Sequence, residues 1–158
     1  MRTLAVVSIM VAGVAGAALG GEVSRSVTVE ASPAEVWEVI GPFCAIQEWH
    51  PAIETCTEEE VGGKPHRRLA TTDGAEFLEE RLSGENDAGM SYSYAIIESP
   101  LPVSGYESTL SVGESDGKAT VTWESSFEAD GVSEQEAEGI VGGIYDAGLK
   151  AVQDRFAK

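Results

Sequence analysis

The sequence predicts an α+β protein in which a curved, seven-stranded antiparallel sheet is covered on one face by a long C-terminal helix. Apolar and polar residues alternate in short segments between residues 22 and 128, which is typical of half-buried strands. Two segments carry the capping-box pattern that begins helices, Ser32 with Glu35 and Ser133 with Glu136. Because an antiparallel sheet can leave one face in water, a single long helix suffices to cover the other.

The chain begins its folded part with a strand and two short helices. Valines alternate with polar residues over residues 22–30, and only Arg25 interrupts the apolar side. A helix follows, because Ser32 can cap it and Pro33 suits its first position. Residues 43–49 predict a second short helix, which Pro51 closes.

Six further strands follow in succession, separated by segments rich in Gly, Pro, Asn or Asp. The pairs Asp73-Gly74 and Asp116-Gly117 are strong hairpin signals. The predicted strands cover residues 53–61, 65–72, 75–82, 90–97, 104–113 and 118–128.

The last helix is predicted from Ser133 to about Phe156, with an apolar stripe at helical spacing. It contains four glycines, each of which costs about 1 kcal/mol relative to alanine. Gly148 lies on the apolar stripe, so we expect it to open room against the sheet. A sheet curled around one helix leaves a cavity between them, and this cavity predicts a binding site for a small molecule.

Residues 1–20 are expected to be a secretory signal, and residues 21–158 the single domain. One basic residue, a short apolar stretch and small residues follow in the order that signals use, with cleavage after Ala17 or after Gly20. The alternative is an uncleaved anchor, because the apolar stretch approaches the ~20 residues that span a bilayer. Either reading predicts an exported protein, periplasmic or extracellular.

The formal net charge is −17, from 10 Lys and Arg against 27 Asp and Glu. Cleavage would remove Arg2 only, leaving 9 basic against 27 acidic residues and a charge of −18. Such acidity weighs against binding to nucleic acid or to an anionic membrane surface, both of which require a basic footprint. It allows docking to a basic protein partner.

The two cysteines, Cys44 and Cys56, are expected to form a disulfide, because an even number in an oxidising compartment favours a bridge. Closing such a short loop stabilises a fold by about 3 kcal/mol. Two unpaired buried thiols are the alternative.

Several local strings, together with this order of elements, resemble the START/birch-allergen-like (SRPBCC) superfamily of helix-grip proteins. The resemblance is strongest to its polyketide cyclase/dehydrase-like branch, which includes periplasmic MxaD-type proteins linked to methanol oxidation. It implies a cavity for lipids, polyketides or other small apolar molecules, but does not fix an activity. The strings lie within residues 23–156 and are Phe43-Cys44-Ala45-Ile46, Trp49-His50-Pro51-Ala52, Cys56, Asp73-Gly74, Glu80-Arg81-Leu82, Tyr92-Ser93-Tyr94, Pro100-Leu101-Pro102-Val103, Tyr106, Val121-Thr122-Trp123, and Ile144-Tyr145 with Ala147-Gly148-Leu149.

His50 and Glu80 are the candidate catalytic residues. His50 closes the second helix at the expected mouth of the cavity, where it could act as an acid or base or bind a ligand carbonyl. It could equally satisfy a local backbone group. Glu80 is expected to face the cavity between Leu78 and Leu82, and if the faces are swapped Arg81 becomes the inward charge. His66 belongs to a small basic segment, residues 64–68, that we expect to be exposed.

Aromatic residues could line the cavity, although core packing explains many of them. No metal-ligand spacing, nucleophile motif or phosphate-binding loop occurs, so neither a metal nor a cofactor is expected. The candidate ligand-binding residues are Trp49, His50, Glu80, Tyr94, Tyr106, Trp123 and Tyr145.

Three functions follow from these observations. The first is an exported binding protein or carrier for a small hydrophobic molecule, and not an enzyme. The second is a cyclase or dehydratase that uses His50 and Glu80, which requires both side chains to face one cavity. The third is a periplasmic accessory protein that docks to a redox partner, as the MxaD-type resemblance implies.

Overall fold

The computed structural model describes residues 20–84 and 89–158 and has the predicted α+β architecture, a seven-stranded antiparallel sheet gripping one long helix. The signal predicted over residues 1–20 lies outside the described residues, apart from Gly20. In chain order the elements are β1 (Gly21–Val29), α1 (Pro33–Ile40), α2 (Ile46–Trp49), β2 (Ile53–Val61), β3 (Lys64–Thr71), β4 (Glu76–Ser83), β5 (Ser91–Glu98), β6 (Val103–Ser115), β7 (Lys118–Ala129) and α3 (Glu134–Arg155).

The strands lie in the order β1-β7-β6-β5-β4-β3-β2, so β2 to β7 form a meander and β1 adds to its far edge beside β7. Every neighbouring pair is antiparallel. Both predicted Asp-Gly hairpins form. At the second, Asp116 and Gly117 have φ of 52° and 78°, the left-handed conformation that a tight two-residue hairpin requires.

Both predicted N-cap serines begin helices, and the capping box is complete at Ser32. The Glu35 N–H donates to Ser32 Oγ, and the Glu35 carboxylate accepts the Ser32 N–H at 2.8 Å. Ser133 Oγ accepts from the Glu136 N–H at 3.1 Å. The second helix is shorter than predicted, since residues 43–45 form turns ahead of α2.

The core lies between the inner face of the sheet and α3, which buries Val141, Tyr145, Leu149 and Val152. Gly148 fulfils its predicted role. A Cβ there would lie 2.6 Å from the His50 ring and 2.9 Å from the Trp123 ring, so only glycine lets the helix approach this closely. Within the described residues, no helix is long and apolar enough to cross a bilayer.

The predicted disulfide is confirmed. Cys44, in the turn before α2, is bonded to Cys56 on β2, with Cα atoms 5.4 Å apart. Gln47 strengthens the same junction, because its side-chain oxygen accepts the Cys56 N–H at 2.8 Å. The bridge therefore fastens α2 to the edge strand of the sheet.

Candidate functional site

A cavity of about 80 Å³ lies between the inner face of the sheet, α2 and α3. Its lining is mainly aromatic and aliphatic. Its exposed and half-buried lining residues include Ala52, Ile53, Leu101 and Ile144, from two loops, the start of β2 and α3, and these form the mouth. The buried lining residues are Ile46, His50, Leu69, Glu79, Tyr94, Tyr106, Trp123 and Tyr145.

The size of the cavity restricts what it can hold in this state. Water occupies about 30 Å³ in the liquid, and an engineered cavity of about 150 Å³ accommodates benzene. A volume near 80 Å³ therefore fits a group of only a few heavy atoms. A larger ligand requires the side chains of Leu101 or Ile144 at the mouth to move.

His50 lies in the cavity wall, but backbone groups occupy both of its ring nitrogens. Nδ1 accepts the Ala52 N–H at 3.1 Å, so the ring hydrogen is on Nε2 and is donated to the Ile144 carbonyl at 2.9 Å. Burial lowers the pKa of His50, although the hydrogen bond to Ile144 opposes this shift. His50 is thus a neutral ring that joins the end of α2 to α3. This is the alternative in which His50 bonds backbone groups.

The interior contains a buried ion pair that was not predicted from the sequence. Arg67 on β3 is fully buried and donates from Nε to Glu79 Oε2 on β4 at 2.5 Å. Arg67 Nη1 also donates to the Phe43 carbonyl at 2.6 Å and to the Tyr92 hydroxyl at 3.3 Å. The guanidinium lies 4.8 Å from the centre of the Tyr94 ring, within the range of a cation–π contact.

Glu79 is the carboxylate that lines the cavity. Burial raises the pKa of Glu79, while the charge of Arg67 and its hydrogen bond oppose the rise. Arg67 remains protonated throughout the accessible pH range, and its charge favours the ionised form of Glu79 against the effect of burial.

The expected inward placement of Glu80 is wrong. The opposite face of β4 points inward: Phe77 and Glu79 line the cavity, and Arg81, on the same face as the alternative expected, has its guanidinium 5.4 Å from the centre of the Phe43 ring. Glu80 lies outside, 3.3 Å from Lys64 Nζ and 3.4 Å from His66 Nε2. Consequently His50 and Glu80 do not share a cavity, and the catalytic pair proposed from the sequence is not assembled.

The basic segment at residues 64–68 is less exposed than expected. Arg67 is buried in the core and His66 is buried on the outer face, where its Nδ1 bonds the Lys64 carbonyl at 2.9 Å. Arg68 remains exposed and pairs with Glu59 at 3.0 Å.

Aromatic hydroxyls and an indole form a buried network behind the cavity. Trp123 stacks on Tyr145 with ring centres 4.2 Å apart and donates from Nε1 to Tyr94 and to Ser108, each at 3.1 Å. The Tyr145 hydroxyl bonds both Ser108, at 2.8 Å, and Tyr106. Burial raises the pKa of Tyr94 and Tyr106 well above the ordinary value, so both keep their hydroxyl hydrogens at neutral pH.

Of the residues predicted to bind ligand, the structure brings His50, Tyr94, Tyr106, Trp123 and Tyr145 to the cavity. Trp49 instead packs edge-to-face on Trp123, 5.5 Å away, in the adjoining core. No group of three or more His, Cys, Asp or Glu among residues 20–84 and 89–158 is arranged to hold a metal ion.

Sequence reasoning missed Arg67, Glu79 and Ser108. One signal for the first two was available: Arg67 alternates with Leu69 on β3, and Glu79 with Phe77 on β4, so each shares the face of an apolar residue. Ser108 could have been found in the same way, as it alternates with Tyr106 and Leu110.

Residues 21–157 match the sequence model of a family described as polyketide cyclase / dehydrase and lipid transport. The protein XoxI from Bacillus cereus is 36% identical, with a TM-score of 0.80 over 86% of this chain and 95% of that one. A putative uncharacterised protein from Bacillus thuringiensis is 35% identical, with a TM-score of 0.79 over 86% of this chain and 98% of that one.

The ZhuI aromatase/cyclase from Streptomyces sp. R1128 has a TM-score of 0.68 over 86% of this chain and 93% of that one. Its identity is 19%, so this likeness concerns the fold alone. No protein of curated function matches the chain.

Proposed function

The chain belongs to the polyketide cyclase/dehydrase and lipid transport family, and from that premise we propose that it is a binding protein or carrier for one small hydrophobic molecule. The observation that carries the proposal is the apolar cavity between the sheet and α3, whose walls combine Ile46, Leu69 and Trp123. Enclosed apolar cavities with a few polar groups are the usual form of small-molecule sites.

The geometry gives less support to the other two functions. A cyclase or dehydratase needs an acid/base pair at the substrate, whereas Glu80 lies outside and both nitrogens of His50 are bonded to backbone. Docking to a basic redox partner rests on the net charge of −17 and on the MxaD-type resemblance. If docking is the function, binding to a basic c-type cytochrome has to weaken steeply as salt is added.

Export is part of the proposal. Disulfides persist in oxidising compartments, and the Cys44–Cys56 bridge is formed. Together with the expected signal over residues 1–20, the bridge supports a periplasmic or extracellular location, where a carrier would collect its ligand outside the cytoplasm.

Two measurements test the binding function. Protein purified from its own host is expected to carry an apolar molecule, visible by native mass spectrometry as a mass that organic extraction removes. Separately, benzene and toluene are expected to move the side chains of Leu101 or Ile144 aside, to bind saturably to the extracted protein and to perturb the fluorescence of Trp123, which lines the cavity.

A variant that blocks the mouth makes the second measurement specific. Ala52→Phe places a phenyl ring at the exposed edge of the mouth and leaves the Ala52 N–H free to bond His50. Val61→Phe adds the same ring at the exposed end of β2 and serves as the matched control. The proposal fails if the host protein carries no ligand and neither hydrocarbon binds, or if Ala52→Phe and Val61→Phe bind the probes equally well.

A further inference from the structure

Arg81 on β4 is a half-buried arginine without an acidic partner. It forms no ion pair with any carboxylate among residues 20–84 and 89–158. Six other Lys and Arg side chains of these residues do pair with an acid, so carboxylates are not scarce. The Nε atom of Arg81 is buried and has no hydrogen-bond acceptor in the described part of the chain. A buried donor without an acceptor costs free energy that a bound acceptor would recover.

A second unpartnered donor belongs to a neighbouring arginine. Arg67 has no exposed surface, and its Nη2 has no acceptor among the described residues either. The central carbons of the two guanidiniums are 4.2 Å (Arg67) and 5.4 Å (Arg81) from the centre of the Phe43 ring. The sheet explains this proximity, because Arg67 lies directly opposite Glu79 and Arg81 follows Glu79 by two residues on the same face. The two arginine side chains therefore meet at Phe43.

The charges beside Phe43 do not balance. Glu79 neutralises Arg67 through their contact at 2.5 Å, and the positive charge of Arg81 is left over. One more negative charge would give two charges of each sign. Guanidinium groups suit carboxylates in particular, because their N–H groups form a planar fork and the hydrogen bonds are charge-assisted. This part of the interior therefore favours one anionic group.

We propose that Arg67 Nη2 and Arg81 Nε bind one monovalent anionic group of the size of a carboxylate. Each arginine donates one N–H to it, so both unpartnered donors gain an acceptor. Arg81 is half-buried, so solvent reaches the site from its side. The inference does not depend on the proposed carrier function, because the described lining of the apolar cavity includes neither arginine.

The test compares acetate with acetamide, which has nearly the same shape and no charge. The side-chain N–H resonances of Arg67 and Arg81 are followed by ¹H–¹⁵N NMR of the wild-type protein. Ionic strength is held constant, so that general screening does not change during the titration. Acetate is expected to shift the resonances of both arginines along one saturable curve, because both contact the same anion. Acetamide at the same concentrations is expected to leave them in place.

Substitutions locate the site. Arg81→Met keeps an unbranched side chain beside Phe43 and removes the Nε donor and its charge. The Kd for acetate, measured from the Arg67 resonances, is therefore expected to rise at least about tenfold. Arg68→Met, which removes an exposed arginine that pairs with Glu59, is the matched control and is expected to keep the wild-type Kd. If Arg81→Met does not fold, Arg81→Lys is expected to raise the Kd as well, because an ammonium lacks the guanidinium fork.

Hexanoate distinguishes a free small anion from the carboxylate of a ligand whose chain occupies the cavity. A free-anion site gives hexanoate and acetate similar Kd values. A cavity ligand gives hexanoate a Kd at least about tenfold lower, because its additional methylene groups are buried, and changes the fluorescence of Trp123. Either result supports an anionic group at the two arginines and identifies its source.

Three results would overturn the anion site. Acetate and acetamide could shift the arginine resonances equally, or the two arginines could give different Kd values for acetate. The third is that Arg81→Met and Arg81→Lys both bind acetate as tightly as wild type. None of these results bears on the carrier function, which the titrations with benzene and toluene test separately.

Discussion

Replacing Arg67 by methionine is expected to destabilise the protein more than any exposed charge substitution. Arg67 has no exposed surface and Glu79 is 5% exposed, so Arg67→Met leaves a buried carboxylate without its counter-ion. Breaking a buried pair on one side costs about 3–5 kcal/mol, and domains of this size have about 5–15 kcal/mol in total. The variant therefore loses a large share of its stability.

The pH dependence of this loss identifies its cause. Without Arg67, only burial acts on the pKa of Glu79 and raises it above the value of the unfolded chain, about 4.3. A folded state that binds the proton more tightly loses stability as pH rises from the unfolded pKa through the folded one. The difference between Arg67→Met and wild type is thus expected to be smallest near pH 4 and to grow toward pH 7.

A double substitution separates the charge from the packing. Arg67→Met with Glu79→Leu removes both ions, and the two groups that lose a donor are the Phe43 carbonyl, at 2.6 Å from Arg67, and the Tyr92 hydroxyl, at 3.3 Å. An unsatisfied buried acceptor costs about 1–3 kcal/mol, so the double variant is expected to be more stable than either single one. Lys150→Met, which breaks an exposed pair with Asp154, is the control and is expected to cost about 0.5 kcal/mol or less.

Equilibrium urea unfolding, followed by tryptophan fluorescence at several pH values, measures wild type, Arg67→Met, Glu79→Leu, the double variant and Lys150→Met. Equal slopes against urea concentration are needed for the comparison. The reasoning is refuted if Arg67→Met costs less than about 1 kcal/mol, or if the double variant loses the sum of the two single losses.

Three further predictions concern the disulfide, the helix contact and the histidine. Replacing Cys44 and Cys56 by alanine is expected to lower the unfolding free energy by about 3 kcal/mol, and adding reductant to wild type should reproduce that loss in the same urea titration. Gly148→Ala is expected to lower Tm, because the added Cβ would overlap the His50 and Trp123 rings. Gly143→Ala places its Cβ in open space and is expected to raise Tm, because alanine has the higher helix propensity. Equal shifts in Tm for the two variants would contradict the close contact at Gly148. Because burial depresses the pKa of His50 below that of the unfolded chain, stability is expected to fall as pH decreases below about 6.5, and His50→Gln should flatten this part of the profile.

The sequence does not predict which face of β4 points toward the core. Along residues 77–82 both faces carry apolar and charged side chains, Phe77 with Glu79 and Arg81, or Leu78 with Glu80 and Leu82. Alternation therefore cannot choose between them, and a shift of one residue exchanges the faces. The choice comes from Arg67, which lies directly opposite Glu79 on β3 and pairs with it in the core.

The sequence by itself determined the order of the elements, both N-cap serines, the Cys44–Cys56 bridge and the close contact at Gly148. Each of these depends on residues near one another in the chain, or on a pattern that only one arrangement satisfies. Tertiary structure alone decided that Glu79 and not Glu80 faces the cavity, and that the cavity closes to about 80 Å³. It also decided the role of His50, because its Nε2 donates to a carbonyl 94 residues away. Contacts across such separations exist only once the sheet has closed around α3, so no local pattern specifies them.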